Sequence, residues 1–459
     1  MGSDYYFSLQ MKRTSLFGHI IEVCDAIHAG SRPADIVVRD FFRDRRYLGA
    51  RDRRYISEAV YGLLRNNVLL DLYARESFLA AHSDRIPDKM PAVVLLCIFL
   101  VRLGGESCDT ILPDISGLWR VYVPDLTCEA FLAVVSNVQL PASIEQDPPG
   151  RLAVLYSLPL LIVREWMERF GPVETELLCR SLNQPAPTTI RVNTHATTVD
   201  HCRELLLRDS VESVPGVLAP TALTLQKRVN IQALQAFKLG YFEMQDEGSQ
   251  LLSLLVGAQP GATIVDACAG GGGKTLHLAA IMQNNGTLLA IDVHEFRLRN
   301  IRERIHRAGV TIADLLLVGR DDERIALWEG KSDAVLIDAP CTGVGTFRRN
   351  PGARLTFTDA FLSQVATTQR DVLDRYARFV KPGGRLVYST CTLTQRENEN
   401  QIATFLERHP EFTLTSAPEI LRGQGIHIDS TGEYLLLLPH RTGTDGFFAA
   451  VMTRSFIDS

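Results

Sequence analysis

Between Thr263 and Ser389, short apolar and β-branched runs alternate with longer segments of helical periodicity, and this restricts the possible folds more than any other feature of the chain. Strands are predicted at Thr263–Asp266, Thr287–Asp292, Leu315–Val318, Ala334–Asp338 and Arg385–Ser389, with helices at about Thr275–Met282, Glu295–Ala308, Thr358–Phe379 and Glu397–His409. Parallel strands need long crossovers, and helices supply them while covering both faces of the sheet, so the fold class is α/β. In an open sheet of this kind ligands bind beyond the carboxyl ends of the strands, which directs Asp266, Asp292 and Asp338 toward one crevice.

A chain of 459 residues is too long for that sheet alone, because single cores stop growing near ~250–300 residues. Residues 1–150 read as an all-α domain, with Leu16, Ile20, Val23 and Ile27 on one helix face and Ile56, Val60, Leu63 and Leu64 on another. Pro148-Pro149-Gly150 marks a boundary. Residues 151–244 read as a small α+β module, with a helix over Leu161–Leu182, a strand through Thr189–Asn193, a helix over Val199–Arg208 and an alternating run Ala222–Leu225. Residues 245–459 form the α/β domain.

The longest apolar run, Met90–Val101, is shorter than a membrane span and reads as a buried helix. The first residues carry Asp4 and two tyrosines and no apolar core, so no secretory leader is expected and the chain is placed in the cytoplasm. None of the nine cysteines forms a C-x-x-C pair and the eleven histidines show no H-x-x-x-H spacing, so neither a disulfide framework nor a metal site is expected. The net charge of −5 argues against simple coating of nucleic acid, but Arg39–Arg54 holds seven Arg against three Asp. Taken alone, that run reads as a solvated helix face.

Strand Thr263–Asp266 runs through Ala267, Cys268, Ala269, Gly270, Gly271, Gly272 and Gly273 into Lys274 and a helix. Glycines at such a turn let backbone approach a ligand and leave helix-terminal N–H groups available. A phosphate-binding P-loop would need glycine at Cys268, and the dinucleotide fingerprint fails at Thr275, so a nucleoside without a phosphate chain fits better. Asp292, twenty-two residues after Gly270, is placed to accept hydrogen bonds from a ribose. S-adenosyl-L-methionine has such a ribose and presents a methionine tail to the loop.

Two thiols stand just past adjacent strands, in Asp338-Ala339-Pro340-Cys341 and Ser389-Thr390-Cys391. A lone cysteine is usually a small buried hydrophobe. A pair beside a cofactor loop suits methylation of pyrimidine C5, where a thiolate adds at C6 and makes C5 nucleophilic, and a second group assists the later elimination. Asp338 is suited to hold the cytosine amino group or N3. Spacing alone leaves the order of the two cysteines open.

These residues, with Arg191-Val192-Asn193-Thr194, Gln245–Gln250 and Thr444–Phe448, resemble the Fmu/Sun-type RNA cytosine-5 methyltransferases over roughly residues 185–450. The resemblance implies a Rossmann-like, S-adenosyl-L-methionine-dependent domain with Cys391 as nucleophile and Cys341 assisting release. It carries cofactor contacts to Cys268 through Lys274, Asp292, Asp338 and, after the third strand, Asp321. Two departures stand out: Gly271 or Gly272 replaces the family's usual proline, and Gly352 stands where Asp is common.

The N-terminal region resembles the RNA-binding domain related to NusB through Asp52-Arg53-Arg54 and Val60–Arg65. That arrangement is similar to family members that modify 16S rRNA, which implies RNA as partner, either 16S rRNA or a small-subunit assembly intermediate, for a monomeric enzyme. It also favours RNA contact by the Arg39–Arg54 run. Two alternatives stay open: a DNA cytosine-5 methyltransferase using Cys341, and a non-catalytic RNA chaperone or assembly factor.

Overall fold

The computed structural model describes residues 11–30, 32–83, 85–319, 322–430 and 432–456. Contacts divide the chain into two units, Met1–Gln184 with Phe347–Phe357, and Pro185–Thr346 with Thr358–Ser459.

The described part of the first unit is helical: α1 Arg13–Ala29, α2 Ala34–Asp44, α3 Ala50–Arg65, α4 Asn67–Ala80, α5 Ala92–Ile98, α6 Cys108–Tyr122, α7 Cys128–Val135, α8 Pro148–Leu155, α9 Leu160–Phe170 and α10 Pro172–Leu182. The expected faces of α1 and α3 meet in one core with α5, every residue of which is buried. A π-helical turn over Phe99–Leu103 ends the apolar run, and Ser107 and Thr127 cap α6 and α7 through their hydroxyls. The single helix expected over Leu161–Leu182 is two, because the chain turns at Gly171 and Pro172 opens a new first turn. The boundary expected at residue 150 falls inside this unit, since α8 packs on α4 and α9 and α10 follow it.

Phe347–Phe357 completes the helical unit through Arg354, whose buried guanidinium donates to the carbonyls of Arg65 (2.8 Å), Tyr156 (3.0 Å) and Leu182 (2.7 Å) and to Asn183 Oδ1 (2.7 Å). Gly352, where the family often has Asp, lies against α2: a Cβ there would stand 2.5 Å from that of Ala34, so no side chain fits.

In the second unit β1 Thr188–Val192, β2 Ser213–Pro215, β3 Ala222–Leu225 and β4 Phe242–Met244 form an antiparallel sheet in the order β2-β3-β1-β4. Helix α11 Val199–Arg208 buries Cys202, Leu205 and Leu206 against it, and the short α12 Gln235–Lys238 precedes β4. Helix α13 Glu247–Leu255 packs on both β1 and the larger sheet, so the boundary expected at residue 244 does not separate compact units.

The larger sheet holds β5 Thr263–Asp266, β6 Thr287–Asp292, β7 Ala313–Leu317, β8 Ser332–Asp338, β9 Val380–Thr390, β10 Phe412–Thr415, β11 Leu435–Leu437 and β12 Phe447–Arg454. Its order is β10-β12-β9-β8-β5-β6-β7; β5 to β9 are parallel, and antiparallel β12 carries β10 and β11 on its far edge. The intervening helices are α14 Gly273–Ile281, α15 Glu295–Ala308, α16 Asp359–Ala377 and α17 Glu399–Arg408. The third strand lies two residues earlier at its start than expected, and α17 begins at Glu399 rather than Glu397 because a short 3-10 turn, Gln395–Glu397, precedes it.

Central strands divide their residues between two cores: Ile264, Leu336 and Val387 face one, and Val265, Val335, Ile337, Leu386 and Tyr388 the other. A fully buried leucine such as Leu336 contributes about 1.5–3 kcal/mol by leaving water. Strand order reverses at β5, with β6 on one side and β8 on the other, and a crevice opens at that switch point beyond the strand ends.

Candidate active site

The cofactor loop begins at Asp266, the last residue of β5, which is fully buried. Its Oδ2 accepts a hydrogen bond from Thr275 Oγ1 at 2.6 Å, which ties the strand end to the first turn of α14. Its Oδ1 is buried without a partner, and burial, reinforced by nearby carboxylates, pushes the carboxyl up to about 6. Gly272 enters α14 with φ +79°, a conformation closed to proline, and a Cβ there would meet Ile301 at 2.8 Å. The family's proline therefore corresponds to Gly271, whose φ is not positive.

Met244, Gln245, Asp266, Cys268, Gly270, Lys274, Arg304, Asp338, Thr346, Cys391 and Phe447 are among the residues lining the cleft above this loop. Cys268 is half-buried, and desolvation followed by the surrounding carboxylates holds its thiol above the ordinary range. Asp292 ends β6 but does not line the cleft. One of its oxygens accepts the Gly270 N–H (2.9 Å) and the other the His294 N–H (2.8 Å), with Arg297 and the His294 ring beside them, so it braces the loop. Asp321 lies outside the described residues. Its neighbour Asp322 is paired with Arg324, which holds that carboxyl down to about 2.

At the end of β8, Asp338 Oδ2 pairs with Lys274 Nζ at 2.6 Å, and Asp338 Oδ1 lies 3.4 Å from Ser389 Oγ. Burial opposes the Lys274 charge, but the adjoining Asp338 carboxylate outweighs it, so the ammonium is held more firmly than usual. Parallel pairing of β8 and β9 sets Asp338 opposite Ser389, and the loops that follow bring Cys341 Sγ to 3.2 Å from Cys391 Sγ. The hydrogen bond shared with Cys391, then burial, then the nearby Glu397 hold Cys341 well above the ordinary thiol range.

Several residues here escaped the reading of the motifs. Gln245 accepts a hydrogen bond from buried Arg191 (2.6 Å), and Arg304 of α15 joins Glu243 of β4 (2.9 Å) to the carbonyl of Gly271. Their signal was present only in the matched segments around Arg191 and Gln245; nothing in the spacing indicates Arg304. The residues fit S-adenosyl-L-methionine: the unpartnered Asp266 oxygen suits an ammonium donor, and Gly273 and Lys274, which open α14, line the same cleft.

Comparison with known proteins identifies the family. Residues 253–453 match the model of the 16S rRNA methyltransferase RsmB/F family, and residues 158–232 match the ferredoxin-like domain of RsmF/B-like methyltransferases. The probable ribosomal RNA small subunit methyltransferase B of Bacillus subtilis (strain 168) is 29% identical over 455 residues, covering 97% of this chain and 100% of that protein. The corresponding Synechocystis protein is 30% identical, covering 88% and 92%. Among solved structures, PH0851 aligns with a TM-score of 0.76 and 26% identity over 97% of this chain and 100% of that one. A methyltransferase homolog protein from Pyrococcus horikoshii gives 0.57 and 26% over 69% and 100%. The chain thus belongs to the S-adenosyl-L-methionine-dependent 16S rRNA methyltransferase RsmB/F family.

Proposed function

We propose that this protein methylates C5 of a cytosine in 16S rRNA through a covalent bond between Cys391 and C6. The observation that carries the reading is the pair of thiols 3.2 Å apart at the ends of adjacent strands, with Cys391 lining the cleft of the cofactor loop. Cys391 adds to C6 as a thiolate, and C5 becomes the nucleophile. The cofactor supplies an electrophilic methyl group carried on sulfonium. Loss of the C5 proton then breaks the bond between Cys391 and C6, and Cys341 assists this release. Asp338, held by Lys274, receives the cytosine amino group or N3.

The relatives are named for rRNA rather than DNA, which favours this arrangement over the one in which Cys341 attacks. The helical unit is assigned to RNA contact, with exposed arginines such as Arg46 meeting phosphates.

With labelled cofactor and unmodified 16S rRNA, label is expected in 5-methylcytidine, and RNA carrying 5-fluorocytidine should form a denaturant-resistant complex. Cys391→Ala should abolish both. An adduct that persists in Cys391→Ala overturns the assignment of the nucleophile.

A further inference from the structure

Glu397 lies outside the cleft, yet it is completely buried and gathers five hydrogen-bond donors. Its Oε2 accepts from the hydroxyls of Thr342 (2.6 Å), Thr392 (3.0 Å) and Thr394 (2.8 Å). Its Oε1 accepts the backbone N–H of Thr342 (2.8 Å) and the amide of Gln369 (3.1 Å). Thr342 directly follows Cys341 and Thr392 directly follows Cys391, so one carboxylate grips the loops of both thiols. The next residue, Asn398, extends the grip: its Oδ1 accepts from Thr390 Oγ1 (2.6 Å) and its Nδ2 donates to the Thr392 carbonyl (3.0 Å), the residues on either side of Cys391.

We propose that Glu397 and Asn398 are positioning residues that set the separation of Cys341 and Cys391, and through it the passage from addition to release. The inference rests on the covalent reading above. A buried carboxylate is costly unless every oxygen is satisfied, and here most of the donors belong to the two cysteine loops. Moving either loop away would strip donors from a buried charge, so the thiols are held in register by the same bonds that make the anion tolerable. Neither residue is among those lining the cleft, and both act through the threonine hydroxyls and backbone groups that flank the two cysteines.

The test uses the full-length protein and two readouts. Without RNA or cofactor, a short bifunctional alkylating reagent that bridges only neighbouring thiols is applied, and the link between Cys341 and Cys391 is quantified by peptide mapping. Separately, single-turnover methyl transfer to 16S rRNA and cofactor affinity are measured. Glu397→Ala is expected to lose the link and to slow methyl transfer by about 100-fold, the scale of a small misplacement of reacting groups, with cofactor affinity unchanged. Glu397→Gln, which keeps the shape and one acceptor oxygen, should restore most of the link.

Should Glu397→Ala fail to fold, Thr392→Val removes one gripped hydroxyl while leaving the carboxylate, and should reduce both the link and the transfer. A wild-type link yield and rate in a folded Glu397→Ala or Thr392→Val protein overturns the proposal. So does parallel loss of cofactor binding in Glu397→Ala and Glu397→Gln, which would mark a carboxylate that only stabilises the fold. Failure of the wild-type protein to capture 5-fluorocytidine would instead overturn the covalent reading, while the linking arm, read without RNA, still decides whether the thiols are held by Glu397.

Discussion

Arg39–Arg54 of the helical unit and the crevice beyond β5, β6, β8 and β9 both concentrate reactive or charged side chains, but they use them differently. In the helical unit most of the chemistry is satisfied locally. Arg45 pairs with Glu22 and stacks over Phe41 at 4.0 Å, and Arg53 donates to the carbonyls of Leu48 (2.9 Å) and Arg45 (3.1 Å). Arg54 pairs with Glu58 one turn along α3 (2.9 Å), and Arg43 with Asp40 one turn back in α2 (2.9 Å). In the crevice the groups come from strand ends far apart in the chain and retain open valence: an unpartnered oxygen on Asp266 and a thiol pair in contact. In this run most arginines find partners within the helical unit, either a turn or two along the chain or on the neighbouring α1. Groups brought together by strand order have no such local outlet, and that is where ligands and chemistry are accommodated.

The largest effect that would break this comparison is at Cys341. Cys341→Ala should still add to the base and methylate it but stall before elimination, lowering multiple turnover by about 100-fold or more and accumulating a denaturant-resistant complex with ordinary 16S rRNA. Normal turnover with no slow-migrating species on a denaturing gel would remove Cys341 from the reaction and leave the thiol contact as mere packing.

A second test concerns the open oxygen of Asp266. Its carboxyl is raised to about 6 by burial, so below that pH it is protonated and cannot pair with an ammonium. Cofactor affinity should therefore fall as pH drops through about 6, by at most about tenfold per pH unit, and calorimetry between pH 5 and 8 reads this directly. The sign for folding is opposite to that of a salt-bridged carboxylate. Between about 4 and 6 the folded, cofactor-free protein binds more protons at this site than the unfolded chain, so this group lowers stability as pH rises through that window. Asp266→Asn should flatten both dependences; an affinity that keeps its pH profile in that variant would mean the oxygen does not face the cofactor.

The smallest effects sharpen the helical side. Arg45→Gln or Arg53→Gln should lower stability by about 0.5–1.5 kcal/mol, because each loses hydrogen bonds within the fold. Arg46 is exposed and has no side-chain partner among the described residues, so Arg46→Gln should leave Tm unchanged while reducing the salt dependence of 16S rRNA binding by about one phosphate contact. Unchanged salt dependence for Arg46→Gln would weaken the assignment of this run to RNA.

The alternation of strands and helices from Thr263, the glycine loop that opens α14 and the two thiols past adjacent strands were legible in the chain, because hydrophobic period and turn chemistry act over a few residues. The same local signals misplaced features where longer-range packing decided. Helical periodicity runs through Gly171-Pro172 and places the start of α17 at Glu397, and it gives no sign of the antiparallel β10 and β12, because β12 beside β9 and β10 beside β12 depend on pairing with distant segments. Tertiary structure alone drew Phe347–Phe357 into the helical unit through Arg354 and turned Asp292 toward the loop backbone. It also left Asp266 with a buried open oxygen and gathered Thr342, Thr392 and Thr394 around Glu397. Local sequence determines which segments become strands and helices, but which side chains meet depends on strand order and register, and those follow from burying both faces of the sheet at once.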